Sequence, residues 1–229
     1  MIAHLSCRPQ RGFSLLEMAV VLVIVGLLLG GSLGAAGALQ ARQRYAGTEA
    51  QLAEIRDALV AFAIAHRRLP CPADPAIADT VAGAGLERVP TAAGCTGGTS
   101  GAVPWATLGV AQTDAWGRRF TYRVSATFAR QAPAFTLIDV GDNVVRNGAA
   151  VVLCAAAPAV IVSHGANARG SSGPGGTLSA ASPDAREQEN ADGDAEFVVD
   201  AAADGYDDLV AWMPGTILGY RMLQAGALP

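Results

Sequence analysis

Between Met18 and Leu39 the chain runs for twenty-two residues without a formal charge. At a helical rise of 1.5 Å per residue such a stretch crosses a hydrocarbon core of about 30 Å. It is set apart as a membrane or targeting element, and what remains of the 229 residues is the size of one ordinary domain. Arg8 and Arg11 precede the stretch and Arg42 and Arg44 follow it, so basic residues alone do not orient it. Cys71, Cys95 and Cys154 lie beyond it and Cys7 before it. Export of the larger, cysteine-bearing part, with the N-terminus left in the cytoplasm, is the consistent arrangement.

Glu17 is the residue that an ordinary anchor does not explain. It stands where the apolar run begins, in Gly12-Phe13-Ser14-Leu15-Leu16-Glu17-Met18, and a carboxylate entering a membrane is costly. If the chain is cut between Gly12 and Phe13, Glu17 becomes the fifth residue, placed to pair with the new α-amino group of a neighbouring subunit. A basic leader, Gly, Phe, a small hydroxyl residue, two Leu, Glu and an apolar run together resemble the signature of type IV pilins and type II secretion pseudopilins. The resemblance implies a prepilin peptidase that removes a leader of residues 1–12 after Gly12 and methylates Phe13, with Glu17 as the assembly glutamate. Two other readings stand beside it. A signal peptide cut near Ala36-Gly37-Ala38 leaves Glu17 unexplained, and a plain signal anchor lets Glu17 snorkel to the cytoplasmic face.

Beyond Gly47, Leu52, Ile55, Leu59 and Phe62 recur at helical spacing with Glu49, Glu54, Arg56 and Asp57 between them. One helix from about Ser14 to His66, roughly 80 Å long, is expected: a membrane or filament-core part over 13–39, then an amphipathic part over 40–68. Leu69-Pro70-Cys71-Pro72 should end it, because proline lacks the amide donor and disfavours helix in the residue before it. Gly26, Gly30, Gly31, Gly34 and Gly37 read either as a small face for close helix packing or as points of melting.

Residues 69–229 are expected to form a globular periplasmic head. In Asp114-Ala115-Trp116-Gly117-Arg118-Arg119-Phe120-Thr121-Tyr122-Arg123-Val124 a turn feeds an alternating strand with Phe120, Tyr122 and Val124 on one face. This segment resembles the aspartate-x-tryptophan-glycine stretch of many pseudopilin heads. Further strands are expected at 134–138, 151–153, 159–162, 197–199 and 208–212, paired antiparallel with one face on the helix. The fold class is therefore α+β, a long N-terminal helix packed on an antiparallel sheet in the pilin-like manner. Residues 165–182, rich in Gly, Ser and Ala, are expected to be a mobile surface loop.

Three exported cysteines permit three single bridges. Cys71 and Cys95 flank a Gly/Ala/Thr-rich loop without zinc-site spacing and are expected to close it as a disulfide. Cys154 is expected to be a free, buried, small hydrophobe. Ser163-His164-Gly165 fails the nucleophile-elbow pattern because Ile161 replaces its first glycine, so no catalytic residue is assigned and the two side chains are expected to close a strand. Ten of the twenty acids fall between Asp184 and Asp208. Asn190, Asp192 and Asp194 alternate like ligands of a calcium loop, with Asp204, Asp207 and Asp208 available to complete it, and the family resemblance implies calcium in some heads. The alternative is a solvated acidic loop.

With a net charge of −4, or −6 after the leader's two arginines leave, and no basic run longer than two, no nucleic-acid partner is expected. The function expected is a non-enzymatic minor pilin or pseudopilin, held in the bacterial inner membrane and then built into a filament. Its partners are prepilin peptidase, other subunits and an inner-membrane assembly platform. The other reading is a membrane-anchored periplasmic binding or adhesive module with a calcium-binding acidic loop.

Overall fold

A computed structural model describes Gly12 and residues 14–228 apart from Asp204, and leaves aside the side chains of residues 28, 29 and 31–36. The rest of the expected leader, together with Phe13, falls outside the described residues. The chain divides into two compact units, one ending at Gln43 and the other Arg44–Pro229.

The first helix, α1, covers Leu15–His66. It stays helical through Gly26, Gly30, Gly31, Gly34 and Gly37. Among the described residues no helix is long and apolar enough to cross a membrane. The uncharged run that suggested a span includes positions whose side chains are not described. From Leu15 to Leu27 the large apolar side chains are exposed. At its other end α1 stops where Arg67 takes a positive φ of 56° and gives its amide to the Ala63 carbonyl, two residues short of Leu69-Pro70.

The second unit is α+β. Its strands are β1 (Pro90–Thr91), β2 (Gly94–Cys95), β3 (Ser100–Ala102), β4 (Thr121–Val124), β5 (Asn143–Asn147), β6 (Val152–Ala157), β7 (Ala159–Ser163), β8 (Glu196–Val199) and β9 (Leu209–Met213). Four short helices join them: α2 (Trp105–Leu108), α3 (Ala126–Ala129), α4 (Ala185–Ala191) and α5 (Gly215–Gln224). A four-stranded antiparallel sheet runs in the order β3-β4-β7-β9. A three-stranded sheet runs β6-β5-β8, and β1 pairs with β2.

The strand period of two explains why the four-stranded sheet is covered on both faces. Tyr122, Val124, Ala159, Ile161 and Met213 point into one core with Leu52, Ile55 and Leu59 of α1 and Leu218 and Met222 of α5. Val160 and Val162 point the other way, onto Val145 of β5 and Phe197 of β8. Burying one such Leu or Ile side chain contributes about 1.5–3 kcal/mol, so the stripe Leu52, Ile55, Leu59 is the main tie between α1 and the rest of this unit.

Several expectations need correction. β5 and β8 pair in parallel, so the sheets are not all antiparallel; the return through β6, β7 and α4 is long enough for the crossover that a parallel pair requires. Residues 134–138 form no strand: Phe135 is buried against Phe128, while Leu137 and Ile138 are exposed. Cys154 is free but only half-buried, on β6 at the margin of its sheet. The 165–182 segment lies largely at the surface, as expected, but is anchored to the rest of the unit at several points. Ser171 and Ser172 are buried, and the guanidinium of Arg119 donates to Pro75, Ile77 and Pro174 carbonyls at 3.0, 2.9 and 2.8 Å. Gly176 is needed there, because a Cβ on it would lie 2.2 Å from the Ala76 carbonyl oxygen.

Cys71 and Cys95 are joined in a disulfide that spans 24 residues. Glu87, inside that loop, holds Arg68 at 2.8 and 2.7 Å and accepts the Cys71 amide. Replacing both cysteines with serine is expected to remove about 3 kcal/mol through the freed unfolded loop. For a chain of this length that lowers Tm by roughly 6–12 °C, checked by melting the two proteins side by side under oxidising conditions. An equal Tm would show that the bridge contributes nothing.

Candidate functional site

Two places concentrate chemistry, the start of α1 and a buried carboxylate cluster in the second unit. At the first, Ser14 is the residue before α1, and its Oγ accepts the Glu17 amide at 3.2 Å. The side chain of a residue before a helix commonly satisfies an otherwise orphaned first-turn N–H in this way. Glu17 is the first-turn acid, where the positive end of the helix dipole favours a negative charge. Gly12, Ser14 and Glu17 are all exposed.

The second place is built by the turn after β7, α4 and the start of β9. Glu187 lies wholly buried on α4. The helix is started by Asp184, whose carboxylate accepts the Arg186 amide at 2.9 Å and whose own charge is taken by Arg186. Glu187 accepts from the Asn167 side-chain amide, the Ser182 hydroxyl and the Asp207 backbone N–H at 2.6–3.1 Å. Asp208 accepts from Asn190 at 2.9 Å, and Asn190 also exchanges hydrogen bonds with the backbone of Val198. Asp207 Oδ2 accepts the Asn167 amide at 2.8 Å. One oxygen from each of Glu187, Asp207 and Asp208 comes within 4.8 Å of the others.

Taking a carboxylate out of water beside other carboxylates raises its affinity for protons, and two of the three, Asp207 and Asp208, show it. The Asp207 carboxyl is pushed up to about 6, chiefly by burial, with the charges of Glu187 and Asp208 adding to it and the Asn167 amide opposing. Asp208 is raised as well, first by burial and then by Glu187, against the pull of His164 and Asn190. His164 is wholly buried, with Nε2 2.8 Å from Thr121 Oγ1 and Nδ1 3.6 Å from Asp208 Oδ1. Ser163 ends β7 and gives its hydroxyl to Asp114 Oδ2 at 2.7 Å.

Asp114 is a turn organiser. Its Oδ1 accepts the Trp116 and Arg118 amides at 2.9 Å each, and Gly117 takes a φ of 78°. The same turn docks on α1: Thr48 Oγ1 accepts the Ala115 amide at 3.3 Å, and Trp116 meets Tyr45 edge-on at 5.0 Å.

The six positions expected to bind calcium do not assemble as expected. Asp207 and Asp208 come together, whereas Asp204 lies outside the described residues. Asn190 is buried with its amide engaged, and Asp192 and Asp194 are exposed, each accepting a backbone amide two residues on. Alternate spacing there serves the turn after α4. Glu187, unassigned from sequence, is the acid that meets Asp207 and Asp208; its burial on a short helix in an acidic stretch has no sequence signal of its own.

Oxygen donors of this kind are the ones a hard cation takes, but Asp208 Oδ1 faces the buried His164 Nδ1 at 3.6 Å. Asp207 Oδ1 and Asp208 Oδ1 have no hydrogen-bond donor.

The prokaryotic N-terminal methylation motif matches residues 7–33. The chain therefore carries a type IV pilin-like prepilin signature. Its N-terminus is that of a prepilin-peptidase substrate, and the match takes in Gly12, Phe13 and Glu17. No curated protein and no solved structure matches the chain.

Proposed function

We propose that the protein is a minor pilin or pseudopilin, a structural subunit with no catalytic role. The leader is removed after Gly12, Phe13 is methylated, and the 13–39 stretch holds the subunit in the inner membrane with its head in the periplasm. It then enters the filament of a type II secretion system or a type IV pilus, delivered by the inner-membrane assembly platform. The observation that carries this reading is the methylation motif over residues 7–33. The aspartate-tryptophan-glycine turn that seats the head on α1 supports the pseudopilin side, since it serves architecture and leaves no open catalytic cleft at Ser163-His164, both of which are buried.

Expression with and without a prepilin peptidase, followed by N-terminal sequencing and intact mass, tests it. The expected result is a peptidase-dependent start at methylated Phe13. A start at Met1 in both cultures overturns it in favour of the second reading, an anchored binding or adhesive module. The buried carboxylate cluster is what favours that second reading.

A further inference from the structure

We propose that the outer edge of β9 is a strand-addition site for an extended segment of a partner protein, which lays its main chain along the strand and sets an acidic side chain against Arg56 of α1 and a basic one against Glu49. The proposal does not rest on processing of the N-terminus and survives its failure.

The two larger sheets end in four outer edges, at β3, β9, β6 and β8. An unpaired edge invites another chain, and folds blunt it with a covering segment, a side-chain cap or a bulge. Three of the four are treated so. Ala73 lies along β3 and exchanges both backbone hydrogen bonds with Ala102, at 2.8 and 3.0 Å. The Asn190 side chain does the same for Val198 of β8, at 3.0 and 2.8 Å. β6 is irregular, with register shifts against β5. β9 has none of these devices. Leu209–Met213 contains no charge and no proline, and it pairs with β7 without a shift. Among the described residues no backbone hydrogen bond from outside its sheet reaches it.

The edge is also shaped to receive a strand. Leu209 and Ala211 pack on one core and Val210 and Trp212 on the other, so both faces of β9 are covered. These four residues are nevertheless half-buried where all of β7 is buried, and the difference is the open edge. Along it runs a groove of about 470 Å³, walled by Leu52, Ala53 and Arg56 of α1 on one side and by Val199 at the end of β8 on the other. The backbone groups of such an edge are matched by an extended chain, whereas a helix has spent its own internally. Five residues at about 3.3 Å each give a docking length of roughly 17 Å.

Charge sets the partner's side chains. Asp200, on the groove, is held by Arg186, and Asp208 by Asn190. Arg56 and Glu49 also line it, are exposed, and form no ion pair among the described residues. They stand two turns apart, about 10 Å along the helix, a span within reach of two long side chains four positions apart on one face of a strand.

The test titrates a seven-residue synthetic peptide into the full chain in detergent and follows the backbone amide signals by NMR. The peptide alternates valine and threonine and carries glutamate and lysine four positions apart. Saturable binding with shifts at residues 209–213 is expected. Arg56→Glu should weaken it roughly five- to tenfold at low salt, and a peptide with lysine in place of its glutamate should regain affinity for that variant. Two further peptides carry N-methyl groups on alternate amides, one in each phase. One should lose binding by about tenfold or more and the other keep it, because a strand pairs through every second residue. The proposal is overturned if no binding saturates, if the shifts fall outside 209–213, if the two methylated peptides bind equally, or if Arg56→Glu binds like the unmodified protein. Shifts at 209–213 that follow protein concentration without peptide would assign the edge to a second copy of the chain, and overturn it as well.

Discussion

Replacing Arg119 with alanine is expected to destabilise the head by about 3–5 kcal/mol. Its guanidinium is wholly buried, stacks 4.6 Å from the Trp105 ring and donates to three carbonyls. Two of those carbonyls, Pro75 and Ile77, belong to the segment after Cys71, and the third, Pro174, to the Gly-rich 165–182 segment. Removing the side chain leaves acceptors buried without partners and a void beside Trp105. The backbone of Arg119 still accepts its place in the strand pairing, with its amide on the Ser172 carbonyl at 2.9 Å, so the chain path should persist while its two flanking loops loosen. Tm should fall by roughly 6–20 °C. Limited proteolysis should begin between Gly170 and Gly176. Arg119→Lys should recover little, because an ammonium cannot reproduce the planar fork that reaches two segments at once. Arg118→Ala, one residue away and half-buried, should shift Tm by no more than a degree or two. If Arg119→Ala melts like Arg118→Ala, the account of how these loops are held is wrong.

On the proposed pilin-like role, Glu17→Gln should be processed normally and anchored normally, yet fail to assemble. The substitution separates two functions of one side chain. At the start of α1 the local need is for a first-turn residue whose amide is capped by Ser14 Oγ, and glutamine meets it, with a loss limited to the dipole interaction of about 0.3–1 kcal/mol. Assembly asks for the negative charge itself, to meet the free α-amino group of Phe13 on a neighbouring subunit. Loss of one partner in a desolvated charge pair costs about 2–5 kcal/mol, a factor of roughly 30 or more at every subunit contact. Filaments counted by electron microscopy or by shearing should be absent for Glu17→Gln and Glu17→Ala alike. Filaments at the normal level with Glu17→Gln would reduce Glu17 to a helix-capping residue.

The parts legible beforehand are those whose physics is local or periodic. α1 is readable because the apolar spacing of Leu52, Ile55, Leu59 and Phe62 and the prolines at 70 and 72 each act within a turn or two of chain. β4, β7 and β9 follow from alternation, and their burial on both faces explains why β7 reads as a near-continuous apolar run. β5 is missed because Asn143, Arg146 and Asn147 break the apolar pattern, and only Val145 reaches the core. α5 is missed because a glycine opens it and another interrupts it, and its stability comes from Leu218 and Met222 meeting α1 and the sheet.

By itself the sequence determined the N-terminal processing signature, the extent of the long helix and the alternation that makes the sheet, since each is written in neighbouring residues. Only the tertiary structure decided that β5 and β8 run parallel, that the Gly-rich segment is held by Arg119, and which acids converge. Glu187 lies twenty residues before Asp207, and Asn190, Asp192 and Asp194 stand closer to Glu187 in sequence than Asp207 does. What separates them is the end of α4, which turns Asp192 and Asp194 toward solvent and their own backbone, while strand pairing carries Asp207 and Asp208 back against the helix. Contacts of that range depend on where chain segments return, and no local pattern of residue types encodes them.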